Sequence, residues 1–156
     1  MNCTKGDASI EALTAAGKDA LKSKLLLDLA NPLRMVANAP PSLFVANTDS
    51  LAEQIQRAFP ELKVVKALNT LTAPLMVNPR ALPADHVMPM CGNDAGAKAI
   101  VAGILREFGW KHGEILDLGA LPAARAMEAW LLLWIQLWGK LGTPMFNLQL
   151  VRAQGS

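Results

Sequence analysis

The sequence predicts an α/β fold built on a parallel sheet. Short apolar runs near residues 24–30, 63–68, 86–91 and 114–118 have strand length and are separated by longer stretches, most of them with helical signals. Helix-start chemistry recurs between them: Ser50-Leu51-Ala52-Glu53 reads as a capping box, and Asn93-Asp94 precedes an amphipathic run to residue 108. Three of the runs also end in an amide, at Asn31, Asn69 and Asn93. In an open α/β sheet, ligands sit just beyond the carboxyl ends of the strands, so those amides mark where chemistry is expected.

Taken in order, Asp7 is placed to cap a helix over residues 8–16, with Ile10 and Leu13 on one face and Gly17 at its end. A second helical piece covers 19–21. The run 24–30 is a buried strand stopped at Asn31-Pro32. Residues 33–48 form a long loop, and the capping box opens a helix that ends at Phe59-Pro60. The strand 63–68 closes this βαβ unit, so it runs parallel to 24–30. A proline-punctuated loop leads to a strand at 86–91, a helix at 95–108 stopped by Gly109, and a strand at 114–118. A helix over 121–138 follows, ended by Gly139 and Gly142, and 146–152 alternates as an edge strand would.

That last helix is apolar nearly all round. Arg125, Glu128, Gln136 and Lys140 fall on one narrow polar stripe, while Trp130, Trp134 and Trp138 recur at spacing four. Such a helix is buried on more than one side, and in a small domain the second side is another subunit. The expectation is a homodimer through the helix that starts at Leu121 and runs to Trp138; the tryptophans alternatively wall a flat cofactor ring.

Composition narrows the function. The chain has 156 residues, 52% hydrophobic and 18% charged, with a net charge of +2. That is enough for a sizeable core, and too little scattered positive charge for nucleic acid. Cys3 and Cys91 have no partner at metal or disulfide spacing, and neither histidine has an acidic neighbour at ligand spacing, so no metal site is expected and each histidine is read as a surface or strand-edge residue. The uncharged part of the last helix is shorter than a membrane span requires, and no leader pattern is visible; a soluble, cytoplasmic protein is expected. No nucleophile–base pair is visible, and no catalytic side chain is assigned.

Asn69-Thr70, at the end of the central strand, is the focus. An Asn side chain offers a donor and an acceptor without charge, which suits a neutral carboxamide such as nicotinamide. The same residue also serves simply to cap a turn. Lys66 lies within that strand, with its head expected at an edge or mouth. Cys91 reads either as a pocket residue or as a small buried hydrophobe. The order of strands and helices suggests a dinucleotide fold, yet none of the eleven glycines has another two residues on, so the G-x-G-x-x-G phosphate cradle is absent.

The fragments DLANP, SLAEQIQRAFP, KVVKALNT, MVNPR, CGNDAGAKA, EFGW, ILDLG, AAR and LGTPMFNLQLVR, in this order, closely resemble the NADPH-dependent F-420 reductase (F-420-dependent NADP oxidoreductase) family. The likeness covers essentially the whole chain. It implies the second half of a Rossmann-like NADP-binding sheet (residues 1–80) and a small C-terminal α/β part with a Trp-rich dimerisation helix (residues 81–156). It also implies hydride transfer between NADP(H) and a deazaflavin (F-420) or flavin, and a fold similar to the reductase domain of membrane metalloreductases. Family members begin with a glycine-fingerprint strand, whereas Asn2-Cys3-Thr4 matches the end of their fourth strand. The resemblance therefore implies a truncated chain, inactive alone, or else an interaction module without its cofactor half. The cofactor-binding positions it leaves are Thr4, Asn31, Pro32, Asn69, Thr70, Cys91, Gly92 and Asn93.

Overall fold

Apolar runs flanked by helices give a sheet covered on both faces. The computed structural model describes residues 1–153. Strand β1 (Leu25–Asp28) is followed by a short antiparallel pair of two-residue strands, β2 (Leu33–Arg34) with β3 (Ser42–Leu43), inside the stretch expected to be loop. Strand β4 (Lys63–Ala67) pairs with β1 in parallel, Leu26 opposite Val64 and Leu27 opposite Val65, as the βαβ reading requires. Strands β5 (Met88–Gly92) and β6 (Ile115–Asp117) complete the order β1-β4-β5-β6. Asn2 adds a single parallel bridge outside β1, opposite Asp28.

One pairing departs from the expected parallel sheet: β5 runs antiparallel to β4, with Lys66 opposite Cys91, and β6 is parallel to β5. The segment between β4 and β5 holds only a short helix, α4 (Ala73–Val77), and a 3-10 turn at Pro79–Ala81. It therefore re-enters the sheet at the edge where β4 left it, instead of crossing back over a face as a parallel return demands.

Helices α1 (Ser9–Ala15), α3 (Leu51–Ala58) and α6 (Ala124–Leu141) cover one face, where Leu13, Leu26, Ile55, Phe59, Val64 and Met127 pack together. Helix α5 (Ala95–Glu107), with α4, covers the other, over Leu27, Val65, Met88, Val101, Leu105 and Trp110. A further short helix, α2 (Lys18–Leu21), leads into β1. Caps fall largely where the residues place them. Ser50 Oγ accepts from Glu53 N at 3.1 Å, and Asp94 Oδ1 from Ala97 N at 2.7 Å. Asp7 caps nothing: a 3-10 turn at Gly6–Ala8 leads into α1. Gly139 does not stop α6, which continues to the left-handed Gly142. Residues 146–152 form no strand. They are held near β5 by one backbone bond, Val87 N to Leu148 O at 2.9 Å.

Strand alternation also settles Lys66. Val64 faces the α3/α6 layer, so Lys66, two residues on, faces it too and is wholly buried, not placed at a mouth. Its ammonium lies 2.9 Å from Asp28 Oδ2 and 3.0 Å from Glu128 Oε1, and donates to the carbonyl of Ala30. Glu128, expected on the polar stripe of α6, is therefore also buried, where it accepts from Leu51 N and Ala52 N at 2.9 and 3.1 Å. It caps α3 from the side, while Arg125 grips Glu53 through two bonds of 2.9 and 2.6 Å.

Lys66→Met should leave two buried carboxylates without their cation and cost ~3–5 kcal/mol, read from the urea midpoint. Burial raises the carboxyl pKa of Glu128 above 4.5, against the pull of Lys66 and two backbone N–H groups. A carboxyl whose folded-state pKa is raised takes up a proton on folding, so its contribution to stability declines as pH rises above its ordinary value. Glu128→Gln should remove that decline from the pH–stability curve.

Candidate functional site

The parallel pairing of β1 and β4 brings Asn31 and Asn69 to one edge of the sheet. There the two amides bind each other. Asn31 Nδ2 donates to Asn69 O and Asn69 Nδ2 to Asn31 Oδ1, both at 2.9 Å, and Asn69 Nδ2 also donates to Met127 O at 3.0 Å. Two strand ends and α6 are thus tied together by one side-chain pair. Leu68, just before Asn69, has φ +67°. A leucine in the left-handed region stores ~1–3 kcal/mol of strain and persists only where its surroundings enforce it. Two polar atoms follow that turn without a partner among the described residues: Asn69 Oδ1 and Thr70 Oγ1, both buried. The carbonyl of Thr70 accepts from Trp130 Nε1 at 2.9 Å.

Thr4 reaches the same edge through the turn before α1. Its Oγ1 donates to Asn2 Oδ1 at 2.7 Å, and Asn2 Nδ2 donates to Asp28 Oδ1 at 2.7 Å. Gly6 lies against the carbonyl of Asn31, and any Cβ there would overlap that oxygen. Pro32 is buried, and its carbonyl accepts from Phe44 N at 2.9 Å.

The remaining three expected positions are not at this edge. Because β5 is antiparallel, it runs away from this edge: Cys91 and Gly92 lie beside Lys66 and Val65 in the middle of β4, and Asn93 leads to the opposite end, where Asp94 pairs with Lys63 at 3.0 Å. Cys91 is fully buried, and burial pushes its thiol up to about 12, so it is an inert core group. Gly92 gives room to β4, since a Cβ would sit 2.8 Å from Val64 O. Asn93 Oδ1 accepts from Leu121 N at 3.0 Å, at the start of the turn into α6. A hollow of about 720 Å³ at that end is lined by Arg57, Glu61, Lys63 and Asp94, with their charged heads in solvent.

Beside the Asn69 edge, an almost wholly apolar pocket of about 200 Å³ lies between β5 and α6. Thr70, Val87, Pro89, Met127, Trp130 and Leu148 line it, together with Asn147. Trp130 belongs to the tryptophan series; Asn147 and Leu148 were hidden by an alternation that reads as a strand. His86, expected as a surface or strand-edge residue, is instead 5% exposed and packed edge-on to Trp110 at 4.8 Å. His112 is exposed. Among the described residues no group of three or more His, Cys, Asp or Glu is placed to hold a metal, and no helix is long and apolar enough to cross a membrane.

The amide lock gives a direct test. Asn69→Ala should cost ~1–3 kcal/mol, because buried partners lose their donor. Asn69→Asp should cost more, and increasingly so as pH rises through the carboxylate range, because a second acceptor then faces Asn31 Oδ1 and Met127 O. Denaturant titrations at several pH values check the order and the slope.

No family model matches the chain. A crystal structure of a protein assigned as an F420-dependent NADP reductase, from Arthrobacter sp. FB24, is 52% identical, with a TM-score of 0.91, over 96% of this chain and 67% of that one. The F420-dependent NADP reductase of Methanocaldococcus jannaschii is 29% identical over 113 residues, which are 72% of this chain and 49% of the relative. The rat metalloreductase STEAP3 is 32% identical over 112 residues, 71% of this chain and 20% of the relative. The chain thus spans about half and about a fifth of the length of these two curated relatives. In sequence and in fold, this chain belongs to the F420-dependent NADP reductase family.

Proposed function

We propose that this chain forms the nicotinamide end and the acceptor pocket of an NADP-dependent reductase that transfers hydride between NADP(H) and a deazaflavin, with flavin as the alternative acceptor. The observation that carries this reading is the pair of unpartnered buried oxygens, Asn69 Oδ1 and Thr70 Oγ1, at a parallel-strand edge next to an apolar pocket. A carboxamide NH₂ suits an orphaned acceptor, and a flat tricyclic ring suits the wall made by Pro89, Met127 and Trp130. The cofactors supply the hydride chemistry, and these side chains orient two rings and exclude water. The sequence has no G-x-G-x-x-G loop, the usual cradle of the pyrophosphate.

A few neutral hydrogen bonds of ~1 kcal/mol each leave NADPH affinity near the millimolar range. Calorimetric titration of the 156-residue chain should show that weak binding, and micromolar affinity would mean that the phosphates have a cradle elsewhere. Deazaflavin should quench tryptophan fluorescence saturably, and Trp130→Leu should abolish most of the quench. Absence of any quench with deazaflavin or flavin would favour the second reading, a non-enzymatic interaction module.

What supports that second reading is the far half of α6. Leu133, Trp138 and Leu141 are 51%, 45% and 55% exposed. On either reading we propose a homodimer through α6. Trp134 is not the residue to test, because it stacks on Phe146 of its own chain at 5.6 Å. Leu133→Glu with Trp138→Glu should convert a dimer to a monomer in light scattering. A wild-type chain that is monomeric at micromolar concentration would overturn the dimer.

A further inference from the structure

The segment that walls the acceptor pocket is held by a histidine with its proton in a defined place. His86 Nε2 lies 3.0 Å from the carbonyl of Pro79, which can only accept, so Nε2 carries the hydrogen. Nδ1 is then the acceptor, 2.8 Å from Asn147 Nδ2. Asn147 Nδ2 uses its other hydrogen on Val87 O, also at 2.8 Å. The Val87 carbonyl fixes the amide orientation, because the rotated amide would set Oδ1 against an acceptor. One residue on, Leu148 O takes the N–H of Val87 at 2.9 Å. Phe146, on the other side of Asn147, stacks on Trp134. Asn147 and Leu148 are the two residues through which this strap closes the pocket opposite Trp130.

We propose that His86 is a positioning residue acting through Asn147: with Nδ1 bare it clasps the 143–150 strap against β5 as the pocket wall, and a proton on Nδ1 releases it. The protonated ring would point a donor at a donor. Turning the Asn147 amide to accept from it breaks the bond to Val87 and opposes two oxygens, so either arrangement loses a hydrogen bond. The other charged groups around the ring hold their charge while an imidazole titrates. Asp85, on the same segment, has its pKa lowered by the hydrogen bond from Lys111, and Arg80 adds to it. Burial opposes ionisation of Glu114, but Arg80 at 2.5 Å and the Lys111 N–H lower its pKa nonetheless. Among the described residues the strap brings Asn147, Gln149 and Leu150, none of them charged, and the core brings the edge of Trp110.

The pocket's role as a ring site rests on the function proposed above; the clasp does not, and it is read without ligand. The experiment is a pH titration of the full chain followed by the NMR signals of the His86 ring, the Asn147 side-chain amide and the Val87 backbone amide. In the wild type all three should move together. Protection of the Val87 amide, corrected for intrinsic exchange, should fall about tenfold on protonation. Asn147→Asp should reverse the sign, because a carboxylate at 147 attracts the protonated ring and repels Val87 O, so that the strap tightens on acidification. Asn147→Ala should leave the Val87 amide weakly protected at every pH, and it stands in if the Asp variant does not fold. A Val87 amide that stays equally protected while the His86 ring titrates would overturn the clasp. Deazaflavin quenching across the same pH range separates the two ideas. A strap that titrates while ring affinity stays constant overturns the positioning role, whereas a titrating strap with no ring binding at any pH sinks the ring site and upholds the clasp.

Discussion

A single ammonium sits where the layers of this protein meet. Lys66 on β4 reaches Asp28 on β1, the Ala30 carbonyl beyond it and Glu128 on α6, all out of contact with solvent. Moving one cation and two carboxylates from water is expensive, and their mutual attraction offsets that only when the remaining lone pairs are filled. Here they are filled. Asp28 takes Asn2 and the Ala30 N–H, while Glu128 takes the two N–H groups that open α3. The cluster therefore couples elements that share no covalent neighbourhood, and it fixes the height at which α6 crosses the β1 and β4 ends.

That height also sets the geometry of the Asn69 edge. Glu128 is anchored by Lys66, and the preceding residue, Met127, presents its carbonyl to Asn69. Trp130, three residues beyond Met127, reaches the carbonyl of Thr70. Both amino acids of the Asn69-Thr70 pair are thereby held by α6 through their polar groups, yet each keeps one buried oxygen unmatched. Left-handed Leu68 belongs to the same construction: the turn it makes is costly, and the core around it holds it there. Strain, two orphaned acceptors and a neighbouring apolar pocket in one place are hard to account for by stability alone.

Much of the fold was legible because it depends on local signals. The Ser50 and Asp94 caps, the apolar runs of β1 and β4, and the parallel βαβ unit follow from hydrophobic periodicity and capping chemistry. So does the meeting of Asn31 with Asn69, since parallel strands must end on the same edge. What was not legible depends on the path of the chain between elements. The stretch 69–87 contains no signal that says whether it crosses a face or turns back, and that choice alone takes Cys91 and Gly92 into the middle of the sheet and Asn93 to its far end. Lys66 and Glu128 were misplaced for a related reason. A charge in an apolar pattern looks like an exit to solvent, and its burial is explained by partners 36 to 77 residues away in sequence.

The C-terminal strap shows how an alternating sequence misleads when its partners are side chains. Residues 146–152 have strand periodicity, but only Leu148 meets a backbone donor, and the alternation instead sends Phe146 to Trp134 and Asn147 to His86. A true edge strand would be held by a ladder of backbone bonds indifferent to pH. This segment hangs on one backbone bond, one ring stack and one amide shared between a carbonyl and an imidazole. Its attachment is correspondingly cheap to undo, and the element that closes the apolar pocket is also the one whose hold depends on a titrating group. Loosening such a wall would leave the Lys66 cluster in place, because the strap contacts Val87 and the far half of α6, while the cluster ties β1, β4 and the near half.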